Sequence, residues 1–136
     1  EDNPTEAAAA YETEIKAAFA GHDQLFDLSL LGMGEDGHTA SLFPGTDAVH
    51  ERDKWVLAHH VEAKGNLWRI TLTFPALLKS ANIMFLISGA GKAEPLREVL
   101  YGDLDPDTYP SQIIAQSDHQ HVIYAIDQAA AAKLNQ

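Results

Sequence analysis

The segment NIMFLISG (82–89) constrains the fold most, because it is a short apolar run with almost no polar residue and ends in glycine. Such a run is typical of a buried strand. Similar apolar segments, 25–33 and 121–127, alternate along the chain with segments rich in helix-forming residues. This alternation predicts an α/β fold, with a mostly parallel sheet flanked by helices. No repeat or linker divides the chain, so we expect a single α/β domain over residues 1–136.

The other predicted elements follow from helix formers, prolines and glycines. Alanine, glutamate and lysine dominate residues 6–19, and Gly21 is expected to stop that helix. Pro75 stands at a plausible first helical position, and Asp127 is a candidate N-cap. The predicted helices are 6–19, 75–81, 91–102 and 127–134, the predicted strands are 25–33, 55–61, 67–74, 82–89 and 121–127, and residues 102–111 form a turn-rich surface segment.

The charge balance limits the classes of partner. The chain has 20 acidic and 9 basic residues, a formal net charge of −11, and no two of the bases are adjacent. Surfaces that bind nucleic acid or anionic membranes need clustered Lys and Arg, so we expect neither partner. The chain has no cysteine, which fits a reducing cytoplasm, and no apolar run long enough to span a bilayer. A small anion is still a possible ligand where a few bases converge.

The segment LLGMGEDGHTASLFPG (30–45) contains a glycine-rich loop. Gly32, Gly34 and Gly37 have the G-x-G-x-x-G spacing of a dinucleotide-binding loop, after a predicted strand. Two acidic residues in the loop oppose that interpretation, because a pyrophosphate would meet their charges. Pro44 also interrupts the following helix too early, and no suitable acidic residue ends a second strand. The alternatives are a plain glycine turn and a catalytic loop.

Asp36 and His38 point to the catalytic alternative. In α/β sheets, the loops at the carboxyl ends of strands are where ligands bind. Imidazole titrates near physiological pH and suits general-base work, and a nearby carboxylate can hold its tautomer and stabilise its charged form. Asp36 could instead serve only as a turn-former. From the residues alone, a catalytic loop and a structural turn both remain open.

LLGMGEDGHTASLFPG closely resembles the signature of the 6-phosphogluconolactonases, which belong to a wider group with the glucosamine-6-phosphate deaminases. The later segments RITLTFPALLKSA, ISGAGKAEPLREVL, YPSQIIAQ and VIYAIDQAAAAKL are similar to segments of that family, in the same order. The resemblance implies a Rossmann-like fold. The deaminases carry a Glu five residues after the loop histidine, where this chain has Phe43. The resemblance therefore favours a lactonase, with a deaminase or isomerase as the alternative.

The resemblance implies hydrolysis of 6-phospho-D-glucono-1,5-lactone to 6-phosphogluconate, in the oxidative pentose phosphate pathway. In this interpretation His38 is the general base that activates water, and Asp36 orients or polarises it. We also expect the backbone N–H groups around Gly34 and Gly37 to face the developing oxyanion. The family chemistry implies no metal and no organic cofactor.

A phosphosugar needs cations despite the overall acidity. Lys92 follows SGAG at a predicted helix start, where free N–H groups and the helix dipole attract phosphate, and the resemblance points to the same lysine. Arg69 is the next candidate, because an Arg in an apolar strand is unusual unless it is paired or meets an anion. A structural salt bridge of Arg69 and an exposed Lys92 without a ligand are the alternatives.

Family chains carry more sequence before this region, including a glycine-rich phosphate loop that is not found here. We therefore expect the chain to be the C-terminal part of a longer lactonase domain, with a sheet incomplete at its N-terminal side. A non-catalytic fragment or binding module is compatible with that expectation.

Overall fold

The computed structural model describes residues 3–135, and most elements follow the predicted order. The helices are α1 (Pro4–Ala18), α2 (Phe74–Leu78), α3 (Ala93–Tyr101) and α4 (Gln112–Ala115). The strands are β1 (Leu28–Leu31), β2 (Val56–Val61), β3 (Leu67–Leu72), β4 (Asn82–Ile87) and β5 (Val122–Ile126). Short 3-10 helices cover Asp47–His50, Glu62–Lys64 and Ala90–Lys92. Within residues 3–135, no helix has the length and apolar character that a membrane crossing requires.

Three strands form a parallel sheet in the order β1–β4–β5. Leu28 of β1 lies opposite Asn82 of β4, and Ile83 of β4 lies opposite Val122 of β5. Parallel neighbours need long crossover connections, which the chain supplies before β4 and, through α3 and α4, before β5. The predicted α/β fold with a mostly parallel sheet flanked by helices is confirmed.

β2 and β3 form a separate antiparallel hairpin, with Val56 opposite Leu72 and Val61 opposite Leu67. Both strands were predicted, but their separation from the parallel sheet was not. Residues 62–66 join them, and a connection this short permits only antiparallel pairing.

The main core lies on one face of the parallel sheet. Ile83, Phe85 and Ile87 alternate toward that face and belong to one buried cluster with Leu96 and Val99 of α3. This alternation is the period-2 pattern of a strand with one covered face. A smaller cluster joins α1 to the hairpin and α2 through Ala8, Ile15, Leu25, Val56 and Ala76.

The opposite face of the parallel sheet is apolar and exposed. Leu28, Leu30, Leu86 and Ile123 are 47%, 59%, 54% and 47% exposed, and the strand registers place them on the same face. The sequence predicted that β4 would be buried, but only alternate residues of this strand are, because no described element covers the other face. Parallel sheets are ordinarily covered on both faces.

The segment after β5 forms successive turns, so the predicted helix over 127–134 is wrong. The Asp127 side chain still makes the bond that an N-cap would make, since its Oδ1 accepts a hydrogen bond of 2.8 Å from the Ala130 N–H, but it caps a turn and not a helix. The Ala131 N–H reaches the Asp127 carbonyl four residues back, but the Leu134 N–H bonds only three residues back. A regular α-helix needs a run of four-residue bonds, which alanine propensity alone does not guarantee.

Candidate functional site

The glycine loop (residues 32–39) follows β1 and folds back on itself. The Gly34 N–H donates to the His38 carbonyl at 2.9 Å, and the Gly37 N–H donates to the Gly34 carbonyl at 3.0 Å. Gly37 has a φ of +75°, in the left-handed region that favours glycine. These bonds hold His38 at the carboxyl end of a sheet strand, as the sequence predicted.

Asp36 contacts His38 through both its ring and its backbone. Asp36 Oδ1 pairs with the ring Nδ1 of His38, and it accepts a hydrogen bond of 3.2 Å from the His38 backbone N–H. Burial opposes ionisation of Asp36, but the bonds from His38 and an ion pair with Lys64 outweigh it and lower the pKa of the carboxyl. The ionised carboxylate is an acceptor only, so Nδ1 carries a proton, and in the neutral form of the ring Nε2 would have a free lone pair.

His38 is placed to accept a proton from solvent or from a ligand. Its side chain is 26% exposed, and its Nε2 forms no hydrogen bond with any described residue. A neutral imidazole whose Nδ1–H is fixed by a carboxylate is the arrangement that general-base catalysis needs. The structure brings Asp36 and His38 together, and their catalytic roles stay predictions.

Gly34 leaves the space that the Asp36–His38 pair occupies. A Cβ at Gly34 would overlap the His38 ring and lie 2.6 Å from Asp36 Oδ1. The N–H groups of Gly34 and Gly37 already donate within the loop, so they are not free to bind an oxyanion. An oxyanion role for other backbone N–H groups around Gly34 and Gly37 stays a prediction.

Lys92 lines the same cleft as His38. The cleft is formed by Gly32, Met33, Gly34, His38, Thr39, Ala40 and Lys92. Lys92 ends the 3-10 helix before α3, and its Nζ donates a hydrogen bond of 2.6 Å to the Met33 carbonyl. An ammonium has three donors, so two remain for an anionic ligand.

Phe43 packs directly against the candidate base. The centres of the Phe43 and His38 rings lie 4.6 Å apart, and Phe43 is only 6% exposed. At the sequence position that carries a Glu in the deaminases, this chain therefore places an apolar ring on the imidazole.

Arg69 lies outside the cleft that His38 and Lys92 line. It sits on β3 opposite His59, its side chain is exposed, and it forms no ion pair within residues 3–135. The structure therefore does not show the salt bridge that was its alternative role, and a role in binding phosphate stays a prediction.

Sequence reasoning missed three residues that support the loop. Lys64, at the tip of the hairpin, pairs with Asp36 at 3.2 Å. Ser111 donates to the Gly37 carbonyl through its hydroxyl at 2.7 Å and through its N–H at 3.0 Å. A Cβ at Gly37 would lie 2.9 Å from the Tyr109 ring. Because Ser111 is 74 residues from Gly37, no local pattern reveals this contact.

Two adjacent histidines of the hairpin bind backbone carbonyls, whereas His50 pairs with the Asp107 carboxylate at 2.6 Å. His59 Nε2 pairs with the Ser41 carbonyl at 2.7 Å, and His60 Nε2 pairs with the Asn66 carbonyl at 3.1 Å. In the part of the chain that the structure describes, no three His, Asp or Glu side chains are grouped to hold a metal ion.

Comparisons with known proteins agree on one family. A sequence profile described as "Glucosamine-6-phosphate isomerases/6-phosphogluconolactonase" matches residues 1–124. A curated 6-phosphogluconolactonase of Synechocystis is 36% identical over 97% of this chain and 54% of its own length. The solved structure of 6-phosphogluconolactonase from Trypanosoma cruzi superposes with a TM-score of 0.80 at 25% identity, over 99% of this chain and 54% of that one.

A monomeric glucosamine-6-phosphate deaminase also superposes, with a TM-score of 0.74 at 26% identity over 94% of this chain and 54% of that one. The fold is therefore shared by both activities, and the side chains of the site must discriminate between them. The chain spans about half the length of the curated relative and of the solved structures that it matches.

Proposed function

The chain belongs to the glucosamine-6-phosphate isomerase/6-phosphogluconolactonase family, and from this premise we propose that it carries the catalytic loop of a 6-phosphogluconolactonase. The observation that supports this most is the environment of His38: its Nδ1 is paired with Asp36, its Nε2 bonds to none of residues 3–135, and Lys92 lines the same cleft. A general base and an ammonium in one cleft suit a substrate with both an ester and a phosphate.

In the proposed reaction, His38 Nε2 takes a proton from water as the water oxygen bonds to the lactone carbonyl carbon. The bond between that carbon and the ring oxygen then breaks, and the imidazolium returns the proton to the ring oxygen. Asp36 keeps the imidazole oriented and stabilises its charged form. Lys92 binds the phosphate with its remaining donors, and Arg69 is proposed as a second phosphate contact from the hairpin.

The deaminase alternative is disfavoured by Phe43. In the deaminases a Glu at this position partners the histidine in ring opening, and a phenyl ring cannot relay a proton. The centre of the Phe43 ring lies 4.6 Å from that of the His38 ring, and Phe43 is buried. In this chain the imidazole is therefore in contact with an apolar ring, where a deaminase would supply a carboxylate. This contact supports the lactonase over the deaminase.

We also propose that the chain folds as the C-terminal part of a longer lactonase domain. Two observations support this: the relatives are about twice as long as the region they share with the chain, and one apolar face of the parallel sheet is exposed. Helices from the rest of such a domain would cover that face, as parallel sheets require.

The lactonase proposal predicts a strong dependence on His38. In the complete protein that carries this chain, we expect His38→Ala to lower kcat for hydrolysis of freshly prepared lactone by about 10²- to 10⁴-fold, measured as acid release above the spontaneous rate. His22→Ala is the matched control, because His22 is exposed and lies outside the cleft. Full activity of His38→Ala would contradict the base assignment, and ammonia release from glucosamine 6-phosphate would favour the deaminase.

A further inference from the structure

Lys64 completes a closed cluster around Asp36. Its Nζ lies 3.2 Å from Asp36 Oδ2, whereas His38 binds the other oxygen, Oδ1. The same Nζ lies 5.3 Å from the centre of the Phe43 ring, which itself packs against the His38 ring at 4.6 Å. Each carboxylate oxygen therefore has its own partner, and Phe43 contacts both partners.

The tip of the β2–β3 hairpin determines where Lys64 lies. The 3-10 helix Glu62–Lys64 continues from β2, and Gly65 and Asn66, with φ of +84° and +57°, turn the chain into β3. The Asn66 N–H donates to the Glu62 carbonyl at 3.2 Å and closes this turn. The lysine thus stands on a hydrogen-bonded turn between two paired strands, which limits its freedom to move away from Asp36.

We propose that Lys64 is a positioning residue that fixes the Asp36 carboxylate and keeps His38 in its neutral, proton-accepting form; this inference rests on the proposed base role of His38. A carboxylate paired only with His38 would stabilise the imidazolium strongly. Lys64 shares that negative charge and adds a positive charge nearby, and both effects oppose protonation of the imidazole. It also holds the carboxylate plane, so that Oδ1 stays directed at Nδ1.

The other charged groups around His38 do not replace Lys64. Lys92 reaches the cleft from the start of α3 and binds the Met33 carbonyl, not Asp36. The centres of the His59 and Phe43 rings lie 6.5 Å apart, and His59 Nε2 pairs with the Ser41 carbonyl rather than with Asp36. Glu35, in the same loop, directs its carboxylate at Gly91. Lys64 is thus the cation that pairs with Asp36 in the described part of the chain.

The effect on His38 is expected to be modest, because the side chains of Lys64 and Asp36 are 38% and 34% exposed and solvent screens the pair. We expect Lys64→Met to shift the midpoint of the His38 titration upward by about half a pH unit. Lys64→Arg keeps the charge and should restore the wild-type midpoint. Lys54→Met, which removes an exposed lysine remote from the cleft, is the matched control and should leave the midpoint unchanged.

NMR titration of the histidine ring signals measures this midpoint without requiring activity, and the signal that disappears in His38→Gln identifies the ring. Lys64→Gln serves as a second neutral variant if Lys64→Met does not fold, as judged by far-UV circular dichroism. An unchanged midpoint in a folded neutral variant, or an upward shift that Lys64→Arg does not reverse, would overturn the proposal.

Activity measurements separate this inference from the function on which it rests. In the complete protein, the acidic limb of kcat/KM against pH should move upward in Lys64→Met, with the largest loss of rate at the acidic end. If the wild type does not hydrolyse the lactone but the NMR midpoint still shifts in Lys64→Met, the lactonase proposal is rejected. The proposed effect of Lys64 on Asp36 and His38 is then retained. A rise in KM alone, with no shift in the NMR titration of His38 or in the dependence of kcat/KM on pH, would instead mean that Lys64 binds substrate. That result would overturn the positioning role.

Discussion

Two glycines of the loop differ in how much space surrounds their α-carbons. A Cβ at Gly34 would overlap the His38 ring, whereas a Cβ at Gly32 would meet no atom within 4 Å. Neither residue has a positive φ, so backbone strain does not separate them. The difference is entirely the space that the Asp36–His38 pair needs.

We therefore expect Gly34→Ala to displace His38 and lower activity by about 100-fold, since misplacing a catalytic group by about 1 Å has an effect of that order. Gly32→Ala should keep nearly full activity. Kinetic assays of the two variants in the complete protein test this, together with the NMR chemical shifts of the His38 ring. Equal activity of the two variants would show that the ring can move without loss.

At the scale of single residues, the sequence revealed what is local. Asp36 and His38 are two positions apart, so their contact follows from the loop itself. Lys64 reaches Asp36 only because a hairpin folds over the loop, and Ser111 reaches Gly37 from the segment before α4. Contacts of this kind depend on the tertiary fold and leave no periodic signal in the sequence.

At the scale of elements, the connection between α3 and α4 depends on one buried amide. Gln112 is fully buried; its Nε2 donates at 2.9 Å to the carbonyls of Glu98 and Asp103, and its Oε1 accepts from the Asp105 N–H at 2.7 Å. Residues 102–111 were predicted to be a turn-rich surface segment. That prediction did not include the hydrogen bonds by which the buried Gln112 side chain fixes the segment from the inside. The anchored segment continues into Ser111, which supports the glycine loop.

We expect Gln112→Met to lower the free energy of unfolding by about 2 kcal/mol, because the side chain keeps its volume but loses three hydrogen bonds to backbone groups. Gln128→Met, at an exposed position, should change it by less than about 0.5 kcal/mol. Urea unfolding followed by circular dichroism measures both. A loss no larger than that of the control would mean that water replaces the three bonds.

Element type could be predicted where apolar periodicity was strong, as in β4 and β5. The same run of apolar residues could not show whether one or both faces of β4 are covered, since that depends on which elements pack there. The sequence also did not predict that β2 and β3 pair only with each other, because the residue pattern of a strand does not specify the sheet to which it belongs. The failure of the last helix has a similar origin: propensity favours a helix, but packing and hydrogen bonding decide its regularity.

At the scale of the whole molecule, the two faces of the parallel sheet differ in what covers them. One face holds the main core, and the other exposes Leu30 and Leu86 at 59% and 54%. A contiguous exposed apolar surface of this kind usually marks an interface. If the chain is part of a longer domain, the same leucines are interior residues there, although they are surface residues in the 136-residue chain.

This gives Leu86→Glu opposite consequences in two contexts. In the 136-residue chain, we expect it to reduce binding of the apolar dye ANS and self-association, with little change in melting temperature, because the side chain is already exposed. In the complete protein, the same change would bury an unpaired carboxylate and lower the free energy of unfolding by about 3 kcal/mol or more.

Leu104→Glu is the matched control, because it adds the same charge at a residue that is 64% exposed and lies outside the sheet. It should leave stability unchanged in both contexts. Dye binding, sedimentation velocity and urea unfolding of the four variant proteins test this, and a Leu86→Glu variant as stable as wild type in the complete protein would show that nothing covers this face.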